Sequence, residues 1–310
     1  MSEKPAIPLL VVTGPTASGK TGLAVELARA VGAEIVSADS MQIYRGMDIG
    51  TAKPGMAERG GVPHHLVDVA DPDEIYSVGR YREEASAAIG KIRAGGRPVI
   101  LAGGTLLYIK VLLSGLLDGP GRDQDIRTEL TVSWNADGGA AVRAELASAD
   151  PELAARLHPN DRARTIRGVE VARLTGAKLS EMQKEHRFSE RPYVAKVLGM
   201  GYERDELYAR IERRVDEMIA AGWVGETRNL IARGYSPDLA PFKAIGYLQI
   251  VRHLNGGAAL EETIPEIKKV TRNFAKRQLT WMKKMDIEWI APGDNERAIA
   301  TGVNFFGKSP

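Results

Sequence analysis

Gly14-Pro15-Thr16-Ala17-Ser18-Gly19-Lys20-Thr21 constrains this chain more than any other stretch, because it lies between an apolar run, Ile7 to Val12, and a helical pattern, Leu23 to Ala30. The spacing is G-x-x-x-x-G-K-[ST]. A strand before it and a helix after it are the context in which that spacing makes a phosphate-binding loop. Two glycines let the backbone turn until successive N–H groups face one hollow, and the helix starting near Lys20 adds the positive end of its dipole. Lys20 brings a charge to the outer phosphate, and the Thr21 hydroxyl suits a magnesium ion. A di- or triphosphate ligand is expected, of an owner that the loop alone does not name.

A chain of 310 residues with 44% hydrophobic residues can bury a large core, and its length favours one large unit plus an insertion. It has no cysteine, which excludes disulfides and cysteine-ligated zinc and fits a reducing cytosol. The stretch Met1 to Pro8 has neither the charge pattern nor the apolar length of a signal peptide or membrane span. With a net charge of +2, affinity for nucleic acid has to come from local clustering of cations.

Ile7 to Thr13 and Glu34 to Ser37 read as buried strands of a parallel sheet joined through the first helix, a βαβ unit. The block Asp39 to Pro54 is polar, without a steady period, and begins just past the carboxyl end of that second strand. Open α/β sheets bind ligands at those ends, so it should face the same crevice as the phosphate loop. Asp39 is its obvious carboxylate, and taken alone it is equally a helix cap or a turn residue. His64 and His65 resemble half a metal site. Adjacent histidines in a strand point to opposite faces, however, and no further ligand has suitable spacing, so both are expected in a loop. A helix is expected over Ser77 to Ala94 with Ser77 as its cap, and a third buried strand over Pro98 to Leu101. Gly103-Gly104-Thr105 turns from that strand into another helix. The glycines permit close backbone approach to a ligand, and Thr105 is either a cap or a residue of the site.

From Asp118 to Arg191 strand-like runs vanish and charge is balanced along Ala- and Arg-rich helical stretches. The expected architecture is an α/β, P-loop NTPase-like parallel-sheet core over 1–117 and 192–310, with an inserted all-helical domain over 118–191. In the insertion, Leu157-His158-Pro159-Asn160-Asp161 makes a turn and cap before a helix carrying Arg162, Arg164, Arg167 and Arg173. Arg164 and Arg167 share a face, as solvated surface or as contacts to a phosphate backbone. The sheet resumes at Val194 to Met200. Helices are expected from there to the end: Glu203 to Ala221, Trp223 to Arg233, Lys243 to Leu254 and Glu261 to Lys284. In the last of these, Lys268, Lys269, Arg272, Lys276, Arg277, Lys283 and Lys284 stand against Glu266, with Phe274 and Trp281 interleaved. Such a helix is either soluble surface or a nucleic-acid face.

The blocks G-P-T-A-S-G-K-T, A-D-S-M-Q-I-Y-R-G-M-D-I-G-T-A-K-P, A-G-G-T-L-L-Y, L-H-P-N-D-R-A-R-T-I-R, K-A-I-G-Y and T-R-N-F-A-K-R-Q-L-T-W follow one another from Leu10 to Trp281. Together they resemble the bacterial tRNA dimethylallyltransferase family, also called tRNA isopentenyltransferase. The resemblance implies transfer of a dimethylallyl group from dimethylallyl diphosphate to N6 of adenosine 37, beside the anticodon, in tRNAs reading codons that begin with U. It implies Mg²⁺, held at Thr21. Eukaryotic relatives append a cysteine and histidine zinc finger, and this chain has no Cys, so the likeness is to the bacterial type.

Carried over residue by residue, the resemblance makes Asp39 the catalytic aspartate, Lys20 and Arg214 the cations on the leaving diphosphate, and Thr105 a neighbour of the reacting centre. Gly14, Pro15, Thr16, Ala17, Ser18, Gly19, Lys20 and Thr21 would bind dimethylallyl diphosphate. Asp39, Ser40, Met41 and Gln42 would receive the adenine, flipped out of the anticodon loop because a stacked base cannot reach a buried donor. Thr105, Arg127, Ala163, Arg164, Thr165, Ile166, Arg167, Lys243, Ala244, Ile245, Gly246 and Tyr247 match positions that hold the anticodon stem-loop, with the inserted domain closing over it. A cytoplasmic monomer with no membrane contact and no obligate protein partner is expected.

The chemistry sets its own demands. An exocyclic adenine amine is a poor nucleophile and needs a base for its proton, while charge grows on the departing diphosphate. A nucleoside triphosphatase ends an apolar strand in Asp or Glu, whereas Val99 to Leu101 runs into Ala-Gly-Gly. That weakens the reading as a small-molecule kinase using ATP. A second alternative, an isopentenyltransferase acting on free AMP or ADP, needs neither the insertion nor the basic helix. A third, a catalytically silent RNA-binding protein, leaves the intact loop, Asp39 and Thr105 without a purpose.

Overall fold

The computed structural model describes residues 6–117, 119–186 and 190–307. Asp118, where the insertion is predicted to begin, lies outside them. The chain divides into two compact units, Met1–Leu113 with Arg191–Pro310, and Ser114–Glu190. The elements before the second unit are β1 (Ile7–Thr13), α1 (Lys20–Val31), β2 (Glu34–Ser37), α2 (Met56–Arg59), β3 (His64–His65), α3 (Val78–Ala94), β4 (Val99–Gly103) and α4 (Leu106–Ser114). Helices α5 (Gln124–Asp137), α6 (Ala140–Ala149), α7 (Pro151–Arg156), α8 (Arg162–Thr175) and α9 (Leu179–His186) make up the second unit. The chain then runs through β5 (Tyr193–Met200), α10 (Arg204–Ala220), α11 (Trp223–Ala232), α12 (Tyr247–Leu254), α13 (Leu260–Met282), β6 (Glu288–Ile290) and α14 (Asn295–Gly307).

The six strands form one parallel sheet in the order β3-β2-β4-β1-β5-β6. β1 and β2 are joined through α1 as expected, but they are not neighbours, because β4 inserts between them. The order therefore reverses at β1. The chain builds one side of the sheet, then returns to the other side of β1 with β5, from Ile7↔Tyr193 to Thr13↔Gly199. A reversal of this kind opens a crevice beyond the carboxyl end of β1, where the phosphate loop starts.

Three expectations about elements need correction. His64 and His65 are a short strand on the edge of the sheet, in register with Ile35 and Val36, rather than a loop. Helices do not run unbroken to the end, since β6 pairs with β5 between α13 and α14. Lys243 lies in a short 3₁₀ turn, Ala240–Lys243, and α12 begins only at Tyr247. Ser77 caps α3 as expected, its hydroxyl accepting the N–H of Arg80 at 3.1 Å.

Alternation along β1 fills both faces of the sheet. Leu9 and Val11 pack with Tyr81, Ala85 and Ile89 of α3, and Leu10 and Val12 with Leu23 and Leu27 of α1 and Ala298 of α14. Burial on both faces is why these strands read as continuous apolar runs. The second unit has its own core of Leu130, Val142, Leu146, Leu153, Ile166 and Val169.

The end of β4 is packed backbone to backbone. Thr13 Oγ1 donates to Gly103 O at 2.9 Å, and a Cβ on Gly103 would meet the Ala38 carbonyl oxygen at 2.2 Å. Gly103→Ala has to part β4 from the Ala38 backbone, whose N–H is bonded to Ala102 O at 2.8 Å. Urea denaturation should show a loss of about 2 kcal/mol, the usual cost of forcing a methyl into a packed interior. A wild-type midpoint would refute the register.

Candidate active site

The phosphate loop is strained and held from outside. Ala17 has φ 64° and Gly19 φ 81°, both left-handed, and only the second is a glycine. Two side chains from later helices secure the strained segment. Gln278 Oε1 of α13 accepts the Thr16 N–H at 2.9 Å, and Arg210 Nε of α10 donates to Ala17 O at 2.9 Å. The Arg210 guanidinium also lies 4.8 Å from the centre of the Tyr202 ring. Beneath, Ala17 packs with Leu207, Ile211 and Ala275. Neither Gln278 nor Arg210 was singled out from the sequence. The only available signal for Gln278 is its place in the T-R-N-F-A-K-R-Q-L-T-W block.

Lys20, Thr21, Ser37, Asp39 and Gln42 line one crevice floored by Gly103, which brings the loop and the Asp39 block together as expected. Asp39 Oδ1 accepts the N–H of Met41 at 2.9 Å and that of Gln42 at 3.4 Å. Asp39 is therefore the turn residue that its type allows. Among the described residues Oδ2 has no hydrogen-bond partner, so the turn also fixes a free carboxylate oxygen in the crevice. Thr105 does not cap α4 with its side chain. Its Oγ1 accepts Ser40 N–H at 2.9 Å and donates to Ser40 Oγ at 3.2 Å, while its N–H donates to Ala38 O at 3.0 Å. Thr105 thus clamps the strip on which Asp39 stands.

Asp39 and Arg214 both lie near enough to Lys20 to perturb it. Burial lowers the Lys20 ammonium to about 8, Asp39 opposing and Arg214 adding to the effect. Burial also lowers Arg214 from its ordinary value, again against Asp39. Two cations confined with one carboxylate favour an anion between them.

The Asp39 block is moulded by a residue that sequence reasoning missed. Glu226 of α11 accepts the N–H groups of Asp48, Ile49 and Gly50 at 2.8, 2.6 and 3.1 Å. It also accepts the Tyr247 hydroxyl at 2.6 Å. Gly50 and Gly246 both abut Trp223, where a Cβ would come within 2.0 and 1.8 Å of the indole. Tyr247 and Gly246 are thus buried supports of the loop, whereas Lys243 is exposed and Ala244 and Ile245 half-buried.

In the second unit, Arg127 holds Glu170 bidentately at 2.6 and 2.8 Å. Arg167 adds a bond to Glu170 at 2.6 Å and one to Pro120 O at 2.7 Å. Burial disfavours the Glu170 carboxylate, but these guanidinium bonds outweigh it and hold the group at about 2. Thr165 and Ile166 are buried, and Arg164, paired with Asp161, is exposed beside exposed Ala163. Arg127 and Arg167 therefore carry an architectural duty that the sequence did not reveal.

On α13, Lys268 pairs with Asp216 and Arg272 with Glu212. Lys269, Lys276, Arg277, Lys283 and Lys284 are exposed, with Phe274 and Trp281 partly exposed among them. No group of three or more His, Cys, Asp or Glu suited to a metal occurs among the described residues. Thr21 offers a single hard oxygen in the crevice. That donor fits Mg²⁺, which keeps several waters and takes other ligands from substrate phosphates.

A family model described as IPP transferase matches residues 42–285. A tRNA dimethylallyltransferase of Geobacter sulfurreducens is 49% identical over 301 residues, covering 96% of this chain and 97% of that protein. One of Geobacter metallireducens is 48% identical over 308 residues, covering 99% and 100%. The crystal structure of a full-length tRNA isopentenylpyrophosphate transferase from Bacillus halodurans superposes with TM-score 0.72 at 40% identity, over 97% of this chain and 95% of that one. A eukaryotic dimethylallyltransferase acting on tRNA superposes with TM-score 0.84 at 28% identity, over 98% and 81%.

With its ligand-free value near 8, Lys20 is charged below that pH and loses its proton above it. A diphosphate favours the charged form, so affinity should fall as pH rises past about 8 and binding at pH 8.5 should take up a proton. Calorimetry of inorganic diphosphate in buffers of different ionisation enthalpy measures that uptake. Lys20→Arg, whose charge does not titrate there, should abolish the lysine's share of it.

Proposed function

The chain belongs to the IPP transferase family, and from that premise we propose that it transfers a dimethylallyl group from dimethylallyl diphosphate to N6 of adenosine 37 in tRNAs that read codons beginning with U. The observation that carries the chemistry is the shared crevice: a phosphate loop with Lys20 opposite a fixed carboxylate, Asp39, and no carboxylate at the end of β4. A donor diphosphate and a proton acceptor meet there without the acidic residue of a triphosphatase.

The chain's residues divide the work. The N–H groups at the start of α1 and Lys20 take the diphosphate, and Arg214 adds a second cation as charge grows on the leaving oxygen. Mg²⁺, which Thr21 would hold, would supply further charge neutralisation when bound. The N6 lone pair forms the bond to the allylic carbon, the carbon–oxygen bond breaks, and the N6 proton passes to Asp39 Oδ2. Thr105, through Ser40, keeps that oxygen directed at the crevice. The adenine enters flipped, since no stacked base reaches a site at the foot of a sheet. The exposed cations of α13, with Phe274 and Trp281, have the composition for RNA, as does the exposed Arg164. No helix of the described residues is long and apolar enough to cross a membrane. A tRNA acceptor supports a cytoplasmic location for the reaction.

Purified protein with Mg²⁺ and radiolabelled dimethylallyl diphosphate, offered an unmodified tRNA with adenosines at positions 36 to 38 and free AMP, should label the tRNA alone. Asp39→Ala should lower kcat by about 10²- to 10⁴-fold, the usual contribution of a positioned base. Label in AMP alone would assign the chain to transferases of free mononucleotides.

A further inference from the structure

The consecutive N–H groups of Asp48, Ile49 and Gly50 converge on one carboxylate, with Glu226 Oε2 accepting the first two and Oε1 the third. Successive amides aimed at one point make a hollow for an anion. Here the anion comes from the chain itself, half-buried in the first turn of α11. We infer that Glu226 is a positioning residue for the transfer: seated in that hollow, it braces the turn that holds Gln42, and through Gln42 it aims Asp39. The inference rests on the transferase reading and concerns how the base of that reaction is directed.

Each link of the relay is a hydrogen bond. Glu226 accepts the Gly50 N–H, and the carbonyl of the same peptide, Ile49 O, accepts the Ala52 N–H at 2.9 Å. Ala52 is left-handed, φ 46°, a conformation that a residue with a Cβ does not favour unaided. Gln42 Nε2 donates to Ala52 O at 3.2 Å and to Thr51 O at 3.3 Å, so its side chain is anchored on this strained limb. Its backbone N–H donates to Asp39 Oδ1 at 3.4 Å, beside that of Met41 at 2.9 Å. A second clamp lies within the loop, where Lys53 Nζ donates to Tyr44 O at 2.7 Å and pairs with Asp48 at 2.6 Å and Asp68 at 2.5 Å. That clamp keeps the outline of the loop without α11, so removing the Glu226 carboxylate loosens the turn rather than unfolding it. The hollow is also reachable from solvent. Beside Glu226 an open groove of about 370 Å³ is lined by Gly46, Gly222, Gly225, Asn229 and Arg233, wide enough for a small carboxylate to enter.

Transfer kinetics and amide hydrogen exchange on the full chain test the inference, with acetate as the probe of the emptied hollow. Glu226→Ala should lower kcat for tRNA by about tenfold to 100-fold, the cost of a reacting group misplaced by about 1 Å, and bind inorganic diphosphate as tightly as the wild type. Acetate should restore most of the lost kcat and leave the wild type unchanged. In the variant, exchange should quicken at Asp48, Ile49 and Gly50 and, along the relay, at Met41 and Gln42, and acetate should slow it again. Glu226→Gln, with one acceptor oxygen in place of two, should fall between. A folded Glu226→Ala with wild-type kcat overturns the inference, as does a loss that acetate does not repair or quickened exchange confined to Asp48, Ile49 and Gly50. Diphosphate affinity falling in step with kcat overturns it too, since that is a general loss of the site. Should the alanine variant not fold, Glu226→Gln decides, and wild-type protection of Met41 and Gln42 in it overturns the relay. A wild type that labels no tRNA would sink the transferase reading alone, because exchange at Met41 and Gln42 still judges the relay.

Discussion

The site depends on two hydrogen bonds that reach across nearly the whole chain. Ala17 holds a left-handed conformation that costs a non-glycine residue about 1 kcal/mol or more, so the loop does not keep its shape by itself. Gln278 and Arg210 fix the peptides of Thr16 and Ala17, and Ala275 and Ile211 close over them from the same two helices. The catalytic half of the sheet is therefore built before residue 113, but its phosphate loop is completed only when α10 and α13 dock. This explains why the family resemblance runs to Trp281 although the reacting groups lie far earlier in the chain.

The electrostatics follow from that docking. α10 carries Arg214 as well as Arg210, so seating it places a second buried cation beside Lys20. Burial lowers the affinity of both for a proton, Arg214 adds to that effect at Lys20, and Asp39 opposes it at both. A site in this condition is pre-organised for a dianion, because the ligand supplies the counter-charge that burial withholds from both cations. The same charges suit a reaction in which negative charge accumulates on a leaving group.

Local pattern made much of this legible and long-range pairing hid the rest. β1, β2, β4, β5 and the phosphate loop are visible because doubly buried strands and a Gly-rich turn leave strong local signals. Strand order is not visible: nothing in Glu34 to Ser37 says that β4 will come between it and β1. β3 and β6 span two and three residues, too few for any period to show. Asp39 and Thr105 could be named from the loops that carry them. Their actual arrangement, an aspartate turn clamped through Ser40, depends on a contact across 65 positions. Glu226 was invisible for the same reason, since three amides 176 to 178 positions away define its task. Arg127 and Arg167 are a further case of pairing hidden from the sequence: both are expected to hold RNA by resemblance, and the fold also pairs both with Glu170.

Helix α13 shows how one period serves two tasks. Thr263, Ile267, Ala275, Gln278 and Met282 form its buried side, and Lys269, Lys276 and Arg277 lie exposed, as do Lys283 and Lys284 just past its end. The pairs Lys268–Asp216 and Arg272–Glu212 join it to α10 and neutralise two of its cations. The remaining cations are exposed, on positions other than the buried ones that pack against the core. A helix that both locks the loop and attracts a polyanion has to separate those faces, and the residue that joins them is neutral: Gln278 holds Thr16 with an amide, adding hydrogen bonds to the site without adding charge.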